Sequence, residues 1–171
     1  GTLVSWATPG TEADHPGNPE VQIPMSYVNL SSSAGTVQTD RFGNFTFPGV
    51  TTPLNITASY NGTFNNVNNQ AGSDYSITFN NVQPGQANTL VMNPAKTEYV
   101  TAGVNAYQHI NVVRDYIRDT VPSDNTADFK ATSNTNINSS CNAYYNGNSV
   151  NFYRKASNCN NTAFSSVVAH E

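Results

Sequence analysis

The sequence predicts an α+β protein: an antiparallel β-sandwich over residues 1–93, then a helix–hairpin–helix portion over residues 94–171. Three observations support this. Short runs with a period of two, cut by Pro-Gly, Asn-Gly and Phe-Gly-Asn breakers, fill the first half. After Asn93-Pro94 the apolar residues shift to three- and four-residue spacing. Further on, Asn146-Gly147 joins two short aromatic runs, the strongest short-range hairpin signal a sequence offers.

The first strand is expected at Thr2–Thr8. Thr11–Pro24 contains three prolines and reads as a long loop, with Asp14 and His15 as exposed turn residues rather than functional ones. Further strands are expected at Met25–Leu30, Gly35–Thr39, Asn44–Phe47, Leu54–Tyr60, Tyr75–Asn80 and Asn88–Met92. Phe45 and Phe47 alternate with Asn44 and Thr46, while Ile56, Ala58 and Tyr60 alternate with Asn55, Thr57 and Ser59. That alternation places one face on a core and the other in water. Many short strands at this spacing indicate a sandwich.

A helix is expected at Asn105–Thr120, because Ala106, His109/Ile110, Val113 and Tyr116/Ile117 form one apolar face. Asn105 reads as its N-cap and Pro122 marks its end. His109 lies on the apolar stripe without a second ligand three or four residues on, so a hydrogen-bonded core histidine is favoured over a metal ligand. Arg114 and Asp115 read as solvated. The hairpin comprises Cys141–Tyr145 and Ser149–Tyr153 around Asn146-Gly147-Asn148. Asn161-Thr162 then opens a final helix, with Phe164, Val167 and Val168 on one face and His170-Glu171 at its end.

Charge is sparse, with seven Lys+Arg against eleven Asp+Glu and a formal net charge of −4. No basic cluster exists to neutralise phosphates, which disfavours nucleic-acid binding. No apolar run approaches the ~18 residues of a membrane span. Gly1-Thr2-Leu3 already reads as strand, so the chain has the character of a mature or excised segment. Cys141 and Cys159 flank a turn-rich stretch. A disulfide is favoured over two free thiols, and a two-Cys zinc site is the poorer option because no partner ligand lies at suitable spacing. The sequons at Asn29, Asn44, Asn55, Asn61, Asn138 and Asn160 are compatible with secretion, although composition alone produces them in so Asn-rich a chain. The expected location is extracellular.

Two resemblances carry functional expectations. Val28-Asn29-Leu30, Thr39-Asp40-Arg41-Phe42-Gly43-Asn44-Phe45 and Pro53-Leu54-Asn55-Ile56-Thr57-Ala58 resemble the carboxypeptidase-regulatory or prealbumin-like β-sandwich over roughly Gly1 to Met92. In that family the module is an accessory domain that packs or binds and performs no catalysis.

The second runs from about Ala102 to Glu171. Asn142-Ala143-Tyr144-Tyr145-Asn146-Gly147 ahead of Val167-Val168-Ala169-His170-Glu171 is similar to the N-terminal lobe of the thermolysin-like zinc metallopeptidases, fungalysins among them. His170-Glu171 matches the front half of H-E-x-x-H, whose second histidine falls beyond this sequence. The resemblance implies zinc in the complete protein, with His170 as a ligand and Glu171 as the catalytic base. Asn142 and Ala143 match the edge strand that holds a peptide or protein substrate in extended form. The chemistry implied is peptide hydrolysis by a water that zinc acidifies to a pKa of about 7 and Glu171 deprotonates. Calcium is a second cofactor common among secreted relatives; Asp124 and Asp128 could supply oxygens, although loop polarity explains both more simply.

A different class remains open. A polar, Tyr-rich, β-rich chain also suits an extracellular binding or adhesion module without catalysis, with His170-Glu171 a coincidence. A glycosidase is weaker, since Asp14, Asp40, Asp74 and Asp124 all sit in turn-like contexts. The hairpin-then-helix order after Cys141 favours the peptidase, because a pure adhesion sandwich has no reason to contain it.

Overall fold

A computed structural model describes all 171 residues, Gly1–Glu171. Strand β1 (Thr2–Ala7) is the centre of a three-stranded sheet, between antiparallel β2 (Val21–Pro24) and parallel β8 (Thr89–Met92). Facing it is an antiparallel layer of β3 (Val28–Ser32), β4 (Gly35–Gln38), β5 (Leu54–Gly62) and β7 (Ser76–Val82), in the order β4-β3-β5-β7. Alternate residues of β1, β3 and β5 are buried. Leu3, Met25, Val28, Leu30, Ile56 and Met92 belong to the shared core, each almost fully removed from water. The protein is thus a mixed α and β fold of mostly sheet, with a β-sandwich-like first part.

A second group of strands follows from a switch at the end of β5. The chain turns into β6 (Asn65–Asn69), held to β5 at Asn61 and Asn66. Strand β6 pairs in parallel with β9 (Ala131–Ile137), and β9 in parallel with β11 (Val150–Tyr153). Antiparallel β10 (Ala143–Tyr145) closes this side as the terminal strand. Helix α1 (Glu98–Thr120) packs on β6 and β9, and also touches β1, β5 and the short helix α2 (Ser165–His170). Residues on either side of position 93 therefore share one hydrogen-bonded sheet.

Several elements differ from expectation for identifiable reasons. Helix α1 starts a full turn and more before Asn105, with Thr97 at its N-cap. The early turns form because tertiary contacts favour them. Glu98 accepts from the Lys155 backbone N–H and the Asn161 amide, and Gly103 lets the helix approach the Tyr60 ring. Asn105 is buried inside the helix and bonds across it.

Asn44–Phe47 is not a strand. The Asp40 carboxylate accepts from the Phe42 and Asn44 N–H groups and folds the segment into a turn, leaving a single bridge from Asn44 to Thr2. The presumed loop Thr11–Pro24 contains β2. Met25 lies outside β3, because Tyr27 adopts a positive φ of 58° and breaks the run. Strands β6 and β9 have no apolar alternation to announce them, since Asn65, Ser133 and Thr135 are themselves buried. Asn65 donates to the carbonyl of Ala106 and accepts from Ser133. The last helix begins at Ser165 rather than Asn161, whose side chain reaches Glu98 and Asn136 instead.

Ion pairs join α1 to both sides. Tyr27 donates to Asp115, Arg41 contacts Asp115 and Asp119, and Arg114 bridges Asp115 and Asp128 while lying 4.1 Å from the Phe64 ring centroid. Asp115 is consequently buried and paired, not solvated as its sequence context implies.

Candidate functional site

Strand β10 occupies the edge of its sheet, so one side of its backbone is open. The Tyr153 N–H bonds the Asn142 carbonyl and the Asn146 N–H bonds the Ser149 carbonyl. Because antiparallel bonds alternate, Tyr144 exchanges its bonds with Asn151. The backbone N–H and C=O of Ala143 and Tyr145 therefore point away from β11, toward the free edge. The Ala143 side chain is buried, which fixes the facing of the strand.

The start of β10 is fastened twice. A disulfide links Cys141 to Cys159, with Cα atoms 5.4 Å apart. The Thr162 hydroxyl accepts from the Tyr153 N–H at 2.8 Å and donates to the Asn142 carbonyl at 3.0 Å. Three residues later α2 begins. Val168 on this helix is 4% exposed, whereas His170 lies on its open side. Asn105 of α1 donates to the Ala163 carbonyl and holds the approach to α2.

These elements enclose a cleft of about 610 Å³. Asn142 and Ala143 line one side, the disulfide lies along it, and Val167, His170 and Glu171 line the other. Ala13, from the loop between β1 and β2, completes the wall. His170 and Glu171 also border a second hollow of about 710 Å³, whose apolar lining includes Ile110, Val113, Ile117, Phe129 and Tyr145. The sequence-predicted residues Cys141, Asn142, Ala143, Cys159, His170 and Glu171 are thus brought to one cleft.

No three His, Cys, Asp or Glu side chains converge as a metal-binding group. His170 is exposed and lines the cleft together with Glu171, the residue that follows it. His109 is excluded from this surface. It is half-buried, with Nε2 shut off from water and without a partner rather than hydrogen-bonded as its position on the apolar stripe implies, and this desolvation lowers its pKa to about 4. Asp124 accepts from the Thr126 N–H and hydroxyl, and Asp128 accepts from Arg114 at 2.7 Å, so both carboxylates have partners within the protein. The Asp14 carboxyl has its pKa raised from the ordinary Asp value, by burial first and by Glu20 and Glu98 second.

Sequence reasoning missed Ala13, Thr162 and Ser166 at this cleft. Nothing local marks Ala13. Thr162 carries the one usable signal, a hydroxyl two residues before an apolar helical face, but that signal reads as a cap rather than a clamp. No protein-family model matches the chain, and no curated protein matches it.

Proposed function

We propose that this chain is the N-terminal portion of a secreted zinc-dependent metalloendopeptidase, with a prealbumin-like sandwich leading into the front lobe of the catalytic domain. One observation carries the reading: an edge strand with free backbone groups and the His170-Glu171 pair border the same cleft. A peptide needs both, one to hold it extended and one to act on a carbonyl beside it.

The roles are those the peptidase resemblance implies, and the shared cleft supports them. Ala143 and Tyr145 offer backbone N–H and C=O groups that would align an extended peptide as an added strand. The Asn142 side chain, at the cleft rim, would orient it with amide bonds. His170 would donate one imidazole nitrogen to zinc. Zinc, when bound, supplies Lewis acidity toward water and the peptide carbonyl. The Glu171 carboxylate, next to that ligand, would take a proton from the attacking water and pass it to the leaving amine. The disulfide supports the extracellular part of the proposal, since such bonds persist in oxidising compartments.

Extending the coding sequence past Glu171 and assaying the product tests the reading. A histidine as the third residue after Glu171, stoichiometric zinc and chelator-sensitive peptide hydrolysis are expected. Another residue there, with no zinc and no hydrolysis, would leave a β-rich extracellular binding module as the better account.

A further inference from the structure

We propose that the sandwich loop Pro9–Asn18 is a working wall of the peptide cleft and selects among substrates long enough to reach it. This rests on the peptidase reading above and assigns the sandwich a part in substrate choice.

The loop and α2 come from opposite ends of the chain, yet they are pinned together. The Ser165 hydroxyl donates to the Gly10 carbonyl, and the Ser166 hydroxyl to the Thr11 carbonyl at 3.0 Å. The next residues of the loop reach the cleft, where Ala13 lies in the lining with Asn142, Ala143, His170 and Glu171. Because α2 ends in His170 and leads straight into Glu171, the wall is fixed to the element that positions both.

The loop also holds its own shape. The Asn18 amide donates to the carbonyls of Pro9 at 3.1 Å, Glu12 at 3.3 Å and Ala13 at 3.3 Å. The Gly17 N–H donates to His15 Nδ1 at 3.0 Å. An internally braced loop, tied at one end to a helix, is a rigid boundary rather than a swinging one. A loop serving only to join β1 to β2 has no need to reach the hollow beside β10.

An extended peptide advances ~3.3 Å per residue. A substrate of two or three residues is covered by Ala143 and Tyr145 alone. A longer one that continues past Asn142 runs along the disulfide and meets Ala13. The loop therefore acts on long substrates and leaves short ones untouched, as expected for binding contributed away from the reacting bond.

The test uses the complete parent protein, loaded with zinc. Ala13→Trp puts an indole into the cleft, and the Ser165→Ala/Ser166→Ala pair releases the loop. For Ala13→Trp, the ratio of the octapeptide KM to the blocked-dipeptide KM should rise about tenfold over that of the wild type. For the double variant, selectivity among octapeptides differing at one end should narrow by about threefold or more, with faster amide exchange across residues 9–18. Equal effects of Ala13→Trp on long and short substrates, or none on either, overturn the proposal. A wild-type parent that binds no zinc and cleaves neither substrate overturns the peptidase reading itself, an outcome seen before any variant is made.

Discussion

The side-chain amide of Asn105 donates to the carbonyl of Ala163 at 2.9 Å, from the middle of α1 to the residue that leads into α2. The same amide donates to the Thr8 hydroxyl at 2.8 Å, and its oxygen accepts from the Thr8 N–H at 3.0 Å. One buried side chain thus joins the end of β1, the long helix and the approach to the cleft. Asn105→Ala should cost about 3 kcal/mol, because it leaves buried backbone groups of Thr8 and Ala163 unpaired. Urea denaturation measures the loss. A change within ~0.5 kcal/mol would show that this junction contributes little to stability.

Burial holds His109 neutral in the folded state, with its pKa lowered to about 4 from the ordinary 6.5. As pH falls through 6.5 the unfolded chain takes up a proton that the folded chain refuses. The stability His109 contributes is fully present above pH 6.5, falls between 6.5 and 4, and is lost below 4. The expected loss is ~3 kcal/mol, at 1.36 kcal/mol per unit of pKa difference. His109→Gln should flatten that part of a stability-against-pH curve; an unchanged slope would assign it to the carboxylates.

Gly62 ends β5 where a Cβ would land on the Tyr27 carbonyl and the Tyr107 hydroxyl. Gly62→Ala should destabilise by about 3 kcal/mol or more, through overpacking against backbone that cannot withdraw. Gly147 differs: its φ is 90° but a Cβ there meets open space. Gly147→Ala should cost only ~1 kcal/mol, from backbone strain. Thermal unfolding of the two variants side by side checks the ranking.

The Cys141–Cys159 bond closes a loop of separation 18. Replacing both cysteines by serine should cost roughly 3 kcal/mol. The effect should be concentrated at β10, read as faster amide exchange across Ala143–Tyr145. Uniform acceleration over the whole chain would mean that the bond serves global stability and not the edge strand.

The 171-residue chain alone, with His170 as its accessible imidazole at the cleft, should retain no stoichiometric zinc after dialysis against a weak chelator. Retention at one equivalent would reveal a ligand set that the side-chain arrangement does not display.

Much of this architecture was legible in the sequence because period and breakers are local signals. The alternation through Ile56, Ala58 and Tyr60 lies within β5, and Asn146-Gly147 turns the β10–β11 hairpin. What stayed hidden depends on distant partners. Strands β6 and β9 are built on asparagines, serine and threonines that become buried only because α1 and the neighbouring strand satisfy them. Asn105 looks like a cap by residue type, yet Thr8 and Ala163, far away along the chain, determine its role. At the cleft, Asn142, Ala143, His170 and Glu171 were expected from a family resemblance, and they share its lining. Ala13 was not, since its place there depends on two serine hydroxyls near the far end of the chain.

The handover from β5 to β6 limits how this architecture can be recombined. Strand β9 is flanked on one side by β11 and on the other by β6, which precedes α1 in the chain. A foreign sandwich grafted at residue 93 would remove that neighbour and leave a parallel strand bare along a full side. Any exchangeable unit must therefore include the sandwich and the mixed sheet together, so the two are expected to be inherited and engineered as a single piece.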